Sequence, residues 1–253
     1  MLYSPMSRIP LLSPFAKDPS PEEASIDSTE LAIVVASKQD SNTEWMDQLT
    51  RKSSWNPYIY NVDAVDENAT LRIPAQKGHE AMVYLTFIID RWDDLPKYTT
   101  FIHGHETAWH QESDVFDLLT NIRLNVLDSV GYIPLRCDWY PSCPAEIRPI
   151  THDAIVWGTG LWRSDTEWGI TGVWPLFFPD APLPETIAAP CCAQFVVTRD
   201  AIRSRSKETY ITMRNWILST HIVDNVTGRV MEKLWAYIFT DEAVQYVYFY
   251  FLL

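Results

Sequence analysis

The segment Leu31–Ser37, "LAIVVAS", constrains the fold more than any other stretch of the chain. It is apolar and β-branched without alternation, and a half-exposed strand would alternate apolar and polar residues. A continuous run reads instead as a strand covered on both faces, as in a parallel sheet between two layers of helices. The sequence that follows supplies those layers. "SNTEWMDQL" places Ser41 or Thr43 ahead of acidic residues and then Trp45, Met46 and Leu49, the pattern of a capped helix. "NPYIYNVD" reads as a second strand. "HEAMVYLTFIIDRW" repeats apolar residues at Met82, Leu85, Ile88 and Ile89 with helical spacing, and "YTTFIHGH" is a third strand. Strands alternating with helices predict an α/β fold with a mainly parallel central sheet flanked by helices, in which ligands sit at the carboxyl ends of strands.

A chain of 253 residues with 47% hydrophobic content can bury one large core. Residues 1–28 are rich in proline and serine and predict a flexible arm, leaving 29–253 as a single α/β domain. Residues 134–185 carry many prolines, tryptophans and glycines with little clean periodicity, which predicts long packed loops. "CCAQFVVTRDAI" reads as a late strand entering a helix with Thr198 as N-cap, and "SKETYITMRNWILST" and "GRVMEKLWAYIF" as amphipathic helices. The terminal "VQYVYFYFLL" is too short to cross a bilayer as a helix, so no membrane contact is expected. No internal repeat is evident.

A formal charge of -13 argues against a broad electrostatic grip on nucleic acid or anionic lipid. A polyanion must meet a local patch, and "TRDAIRSRSK" offers one: Arg199, Arg203, Arg205 and Lys207 against Asp200, a surplus of three (4 - 1). Either this is a solvated helix face or it docks a phosphate backbone. Four cysteines, Cys137, Cys143, Cys191 and Cys192, behind a start that lacks the charged and apolar regions of a secretory leader, predict a reduced, cytoplasmic setting.

Three sets of residues could carry chemistry. On a strand, His103 and His105 share a face, with Glu106 or His110 within a loop's reach and Gly104 leaving room for a substrate beside the backbone. Two imidazoles there suit proton transfer near neutral pH; metal binding needs a third ligand, and the bland alternative is one buried partner and one surface ring. Cys191 and Cys192, as strand neighbours, point opposite ways unless the chain kinks, so one is core and the other a nucleophile or simply a second buried thiol. Glu80, Asp93, Asp94, Asp138, Glu146 and Glu232 are carboxylates that singly read as solvated or capping groups. Asp138 beside Trp139 is more suggestive, because an acid next to an aromatic face suits a guanidinium. No phosphate-binding G-x-x-x-x-G-K-[ST], no G-x-G-x-x-G and no G-x-S-x-G occurs.

The blocks "LAIVVAS", "YIYN", "KGHEAMVYLTFIID", "DDLP", "FIHGHETAWH", "GYIPLRCDW", "CPAEIRP", "PCCAQFVVTRDAI" and "GRVMEKLWAYIF", in this order, resemble a fungal family of unknown function that includes the arginine-containing cyclodipeptide synthases. The element order also resembles a glycosyltransferase A-type fold. The resemblance implies a tRNA-dependent synthase without cofactor, condensing arginyl-tRNA with a second aminoacyl-tRNA and closing a diketopiperazine. On that reading His103 or His105 is the general base and Cys191 or Cys192 an acyl-accepting nucleophile. Glu80, Asp138 and Glu146 hold the guanidinium, Trp109, His110 and Trp139 complete the substrate pocket, and Arg148, Arg199, Arg203, Arg205 and Lys207 meet tRNA. One alternative is a nucleotide-sugar glycosyltransferase, although such enzymes usually place Asp-x-Asp where this chain has His103-Gly104-His105. The other is a non-catalytic binding protein.

Overall fold

In a computed structural model, residues 30–39, 41–52, 54–63, 69–107, 113–136, 147–153 and 162–245 are described. The element order is β1 (Leu31–Ser37), α1 (Trp45–Lys52), β2 (Asn56–Asn61), α2 (Glu80–Asp90), β3 (Tyr98–His103), α3 (Val115–Thr120), α4 (Leu124–Val130), β4 (Tyr132–Pro134), α5 (Arg163–Phe177), β5 (Phe195–Thr198), α6 (Arg199–Arg203), α7 (Lys207–Ser219) and α8 (Asp224–Thr240). The predicted arm at 1–28 lies outside the described residues.

All seven residues of β1 are buried, as an uninterrupted apolar run requires. The strand separates two cores. Ala32, Val34 and Ala36 face α2, α5, α7 and α8, while Leu31, Ile33 and Val35 face α1, α3 and α4. Phe195 and Val197 of β5 join the first core and Val196 the second, so the period-2 geometry of each strand sorts residues between the layers.

The sheet runs β2-β1-β3-β5-β4. β2, β1 and β3 are parallel, whereas β5 is antiparallel to both β3 and β4. The fold is thus a single α/β domain on a mixed sheet, parallel through its β2-β1-β3 part. Because β5 runs backwards, its first residues lie beside the carboxyl end of β3, where Phe101 pairs with Phe195, and its last residue lies at the other edge, where Tyr98 pairs with Thr198. Thr198 caps α6 as expected, its hydroxyl accepting from the Ala201 N–H at 3.1 Å.

Helix α2 is buried on every side from Ala81 to Ile89. Each fully buried large apolar side chain contributes about 1.5–3 kcal/mol relative to exposure, so this helix is an anchored rod. Its amino end therefore fixes whatever residue sits there.

One expectation is corrected. Within 134–185 the chain forms the 15-residue helix α5, not only loops. Thr166, Ile170, Val173, Trp174 and Phe177 make a buried stripe at three- and four-residue steps, and this burial overrides Gly169, Gly172 and Pro175.

Candidate functional site

The chain turns sharply ahead of α2: Gly78 and His79 have φ of 76° and 50°. The Gly78 N–H donates to an Asp224 carboxylate oxygen, and His79 Nε2 lies 3.6 Å from the other one. Helix α8 passes close by at Gly228, where an added Cβ would sit 2.6 Å from His79 Cδ2. Glycine at that position lets the imidazole lie against the helix. The opening between the start of α2 and α8 is a cleft of 330 Å³, lined by His79, Glu80, Trp162, Asn225, Gly228, Arg229 and Glu232.

Two carboxylates in the cleft are driven apart in acidity. Burial pushes Glu80 up to about 7; its own backbone hydrogen bond and His79 act against this, and the charges of Glu232 and Asp224 add to it. For Glu232 burial also favours the neutral acid, but Lys233, the Cys192 N–H and Arg229 outweigh it and hold the group below the usual carboxylate range. The Cys192 N–H donates to Glu232 Oε1 at 3.0 Å, and Lys233 Nζ lies 3.3 Å from the same oxygen. His103 feels Glu232, His105 and His79, yet burial dominates and lowers it to about 4. At neutral pH Glu232 is therefore ionised, His103 is a neutral imidazole, and Glu80 is divided between its two forms.

The predicted residues are distributed unevenly. Glu80 lies in the cleft and His103 ends β3 within electrostatic reach of it. β3 stops at His103, so the shared strand face expected for His105 does not arise, and His105 is exposed. Gly104 packs against β1 instead of opening the backbone to substrate, since a Cβ there would stand 2.8 Å from Ser37 Oγ. Cys191 and Cys192 precede β5 and are bonded to each other, so neither carries a thiolate in this form. The chain does kink there, with φ of 87° at Cys192 and 48° at Ala193. Asp138, Trp139, Glu146, Trp109 and His110 lie outside the described residues.

The cationic run sits at the other edge of the sheet and is engaged internally. Arg199 Nη2 meets Glu30 Oε2 at 2.7 Å, Arg203 donates to the Trp92 carbonyl at 2.8 Å, and Arg205 caps α8 through the Tyr237 and Ile238 carbonyls and Asp241. Lys207 opens α7 behind its Ser206 cap. Arg148 is elsewhere again: its N–H donates to the buried Glu167 and its guanidinium lies 3.4 Å from Asp153. His79, Asp224 and Arg229 were not singled out by their residue patterns. The signal available was "KGHE", a glycine and histidine at the mouth of a helix.

Comparison with curated proteins and with solved structures returns no match. A family model described as Protein of unknown function (DUF3431) matches residues 33–248, a span running from within β1 to beyond α8. The chain belongs to that family.

Proposed function

We propose that the cleft performs acyl transfer on a cationic aminoacyl substrate, and that the chain is a tRNA-dependent, arginine-containing cyclodipeptide synthase of a fungal type on a glycosyltransferase A-like scaffold. The observation that carries this reading is the pairing of Glu80 with Glu232 across the cleft, one carboxyl able to exchange a proton near neutral pH and the other held charged.

Division of labour follows from those two states. Glu232 anchors the guanidinium, because only an ionised carboxylate gains fully from a charge-assisted, two-pronged hydrogen bond. Trp162 lines the same opening and offers the cation an aromatic neighbour. Glu80 takes the proton from the attacking amine as the amide bond forms, and returns it to the departing ribose hydroxyl of tRNA. This is a change of role: the sequence suggested an imidazole for that step, but His103 at about 4 is a weak base. Activation resides in the ester, so the missing nucleotide-binding loops are no obstacle. Arg229 lines the same cleft, and on this reading it meets the phosphates next to the acceptor end.

The test is incubation of the purified protein with arginyl-tRNA and a panel of other aminoacyl-tRNAs, with mass spectrometry of the products. An arginine-containing cyclic dipeptide is expected, and its absence for every pairing would overturn the proposal. Nucleotide-sugar transfer is the second reading, favoured by a cleft at the carboxyl edge of a mixed sheet. It requires thermal stabilisation by a nucleoside diphosphate, which the acyl-transfer reading does not.

A further inference from the structure

The disulfide between adjacent residues Cys191 and Cys192 has no structural task of the usual kind, since closing a loop between neighbours constrains almost none of the unfolded chain. Its surroundings give it another. Cys192 and Ala193 both hold positive φ, a costly conformation for residues with a side chain. The Ala193 carbonyl is pinned by the buried Tyr84 hydroxyl at 3.1 Å. In that conformation the Cys192 N–H reaches the cleft carboxylate Glu232. Arg136, 9% exposed, lies with Nη1 3.3 Å from Cys191 Sγ and 4.0 Å from Cys192 Sγ.

We propose that Cys191–Cys192 is a thiol–disulfide switch that sets the cleft through Glu232. A reductant of the dithiol class supplies two electrons and two protons: its sulfurs form a new disulfide, the Cys191–Cys192 S–S bond breaks, and two thiols result. Ring opening frees Cys192 to leave its left-handed conformation, and its N–H withdraws from Glu232. The guanidinium of Arg136 stands beside both sulfurs, where it meets the negative charge that passes over them during exchange. Reduction thus removes one of the contacts that keep Glu232 ionised and in place.

The switch stands apart from the identity of the substrate, and so does its test. Peptide mapping of the air-oxidised protein is expected to find Cys191 bonded to Cys192. Amide exchange at Cys192, followed by NMR, is expected to quicken about tenfold or more after dithiothreitol and to slow again after re-oxidation. In the E232A variant the oxidised amide should already exchange fast, with less than about a twofold further change on reduction. A C191S/C192S variant should exchange at the reduced rate whatever the redox conditions. An exchange rate in the unaltered protein that ignores dithiothreitol would overturn the proposal, as would finding either cysteine free after oxidation or bonded to Cys137 or Cys143.

Discussion

The two edges of the sheet treat charge in opposite ways. At the edge where β3 begins, three of the described cations are engaged locally: Arg199 with Glu30, Lys97 with Asp128, and Arg203 with a backbone carbonyl. These pairs are exposed or half-exposed, so each adds little beyond local order. At the edge where β3 ends, Glu80, Glu232, Asp224, His79 and His103 crowd around an open cleft, and their charges perturb one another. Short-range partners can thus absorb much of a dense run of like charge along the sequence. Ionisable groups brought together by the fold and left facing a cavity are the better guide to a functional site.

The sharpest way to break this contrast is the pH dependence of stability. Glu80 is raised from 4.5 to about 7 in the folded chain, so between those values the folded state holds a proton the unfolded state has lost. Its contribution is whole below about 4.5 and is lost as pH rises through 7. Denaturant titrations should show E80Q relieved of that loss, by at most about 3 kcal/mol at pH 8, the full shift being diminished by the cleft's opening to water. His103 works the other way: its folded value of about 4 makes stability fall as pH drops from 6.5. An E80Q profile parallel to that of the unaltered chain would dissolve the difference between the edges.

The next largest effect concerns catalysis. On the proposed acyl-transfer reading, E232Q should lower kcat/KM with arginyl-tRNA about 30-fold, equivalent to about 2 kcal/mol, as expected for losing a charge-assisted contact. Smaller still is the response at Gly228. Alanine improves helix propensity by about 1 kcal/mol, yet its Cβ would meet the His79 ring at 2.6 Å, a clash of about 1–3 kcal/mol. G228A should therefore lose about 1 kcal/mol in thermal unfolding, with the His79 ring displaced from Asp224. The smallest effect is expected at the opposite edge. On the proposed reading, the triple variant R199A/R203A/K207A should leave tRNA-dependent turnover within about twofold and its salt dependence unchanged. A tenfold fall would restore that run as the docking surface.

Much of the scaffold was legible because burial leaves a local mark. The unbroken run of β1, the apolar rod of α2 and the cap at Thr198 all follow from residue types at adjacent positions. Helix α5 was harder, since Gly169, Gly172 and Pro175 mask a periodic stripe that is nonetheless present. The antiparallel direction of β5 has no such mark: its apolar residues look the same whichever way the strand runs.

The site divides along the same line. The sequence alone determined that a doubly covered strand must lie between helical layers, because strand periodicity is a local property. Only the tertiary structure decided that Glu80 and Glu232 line one cleft, that His79 rests on a glycine of α8, and which of these groups is charged. Acidity depends on the water excluded and the charges nearby, and here both come from segments far apart in the chain.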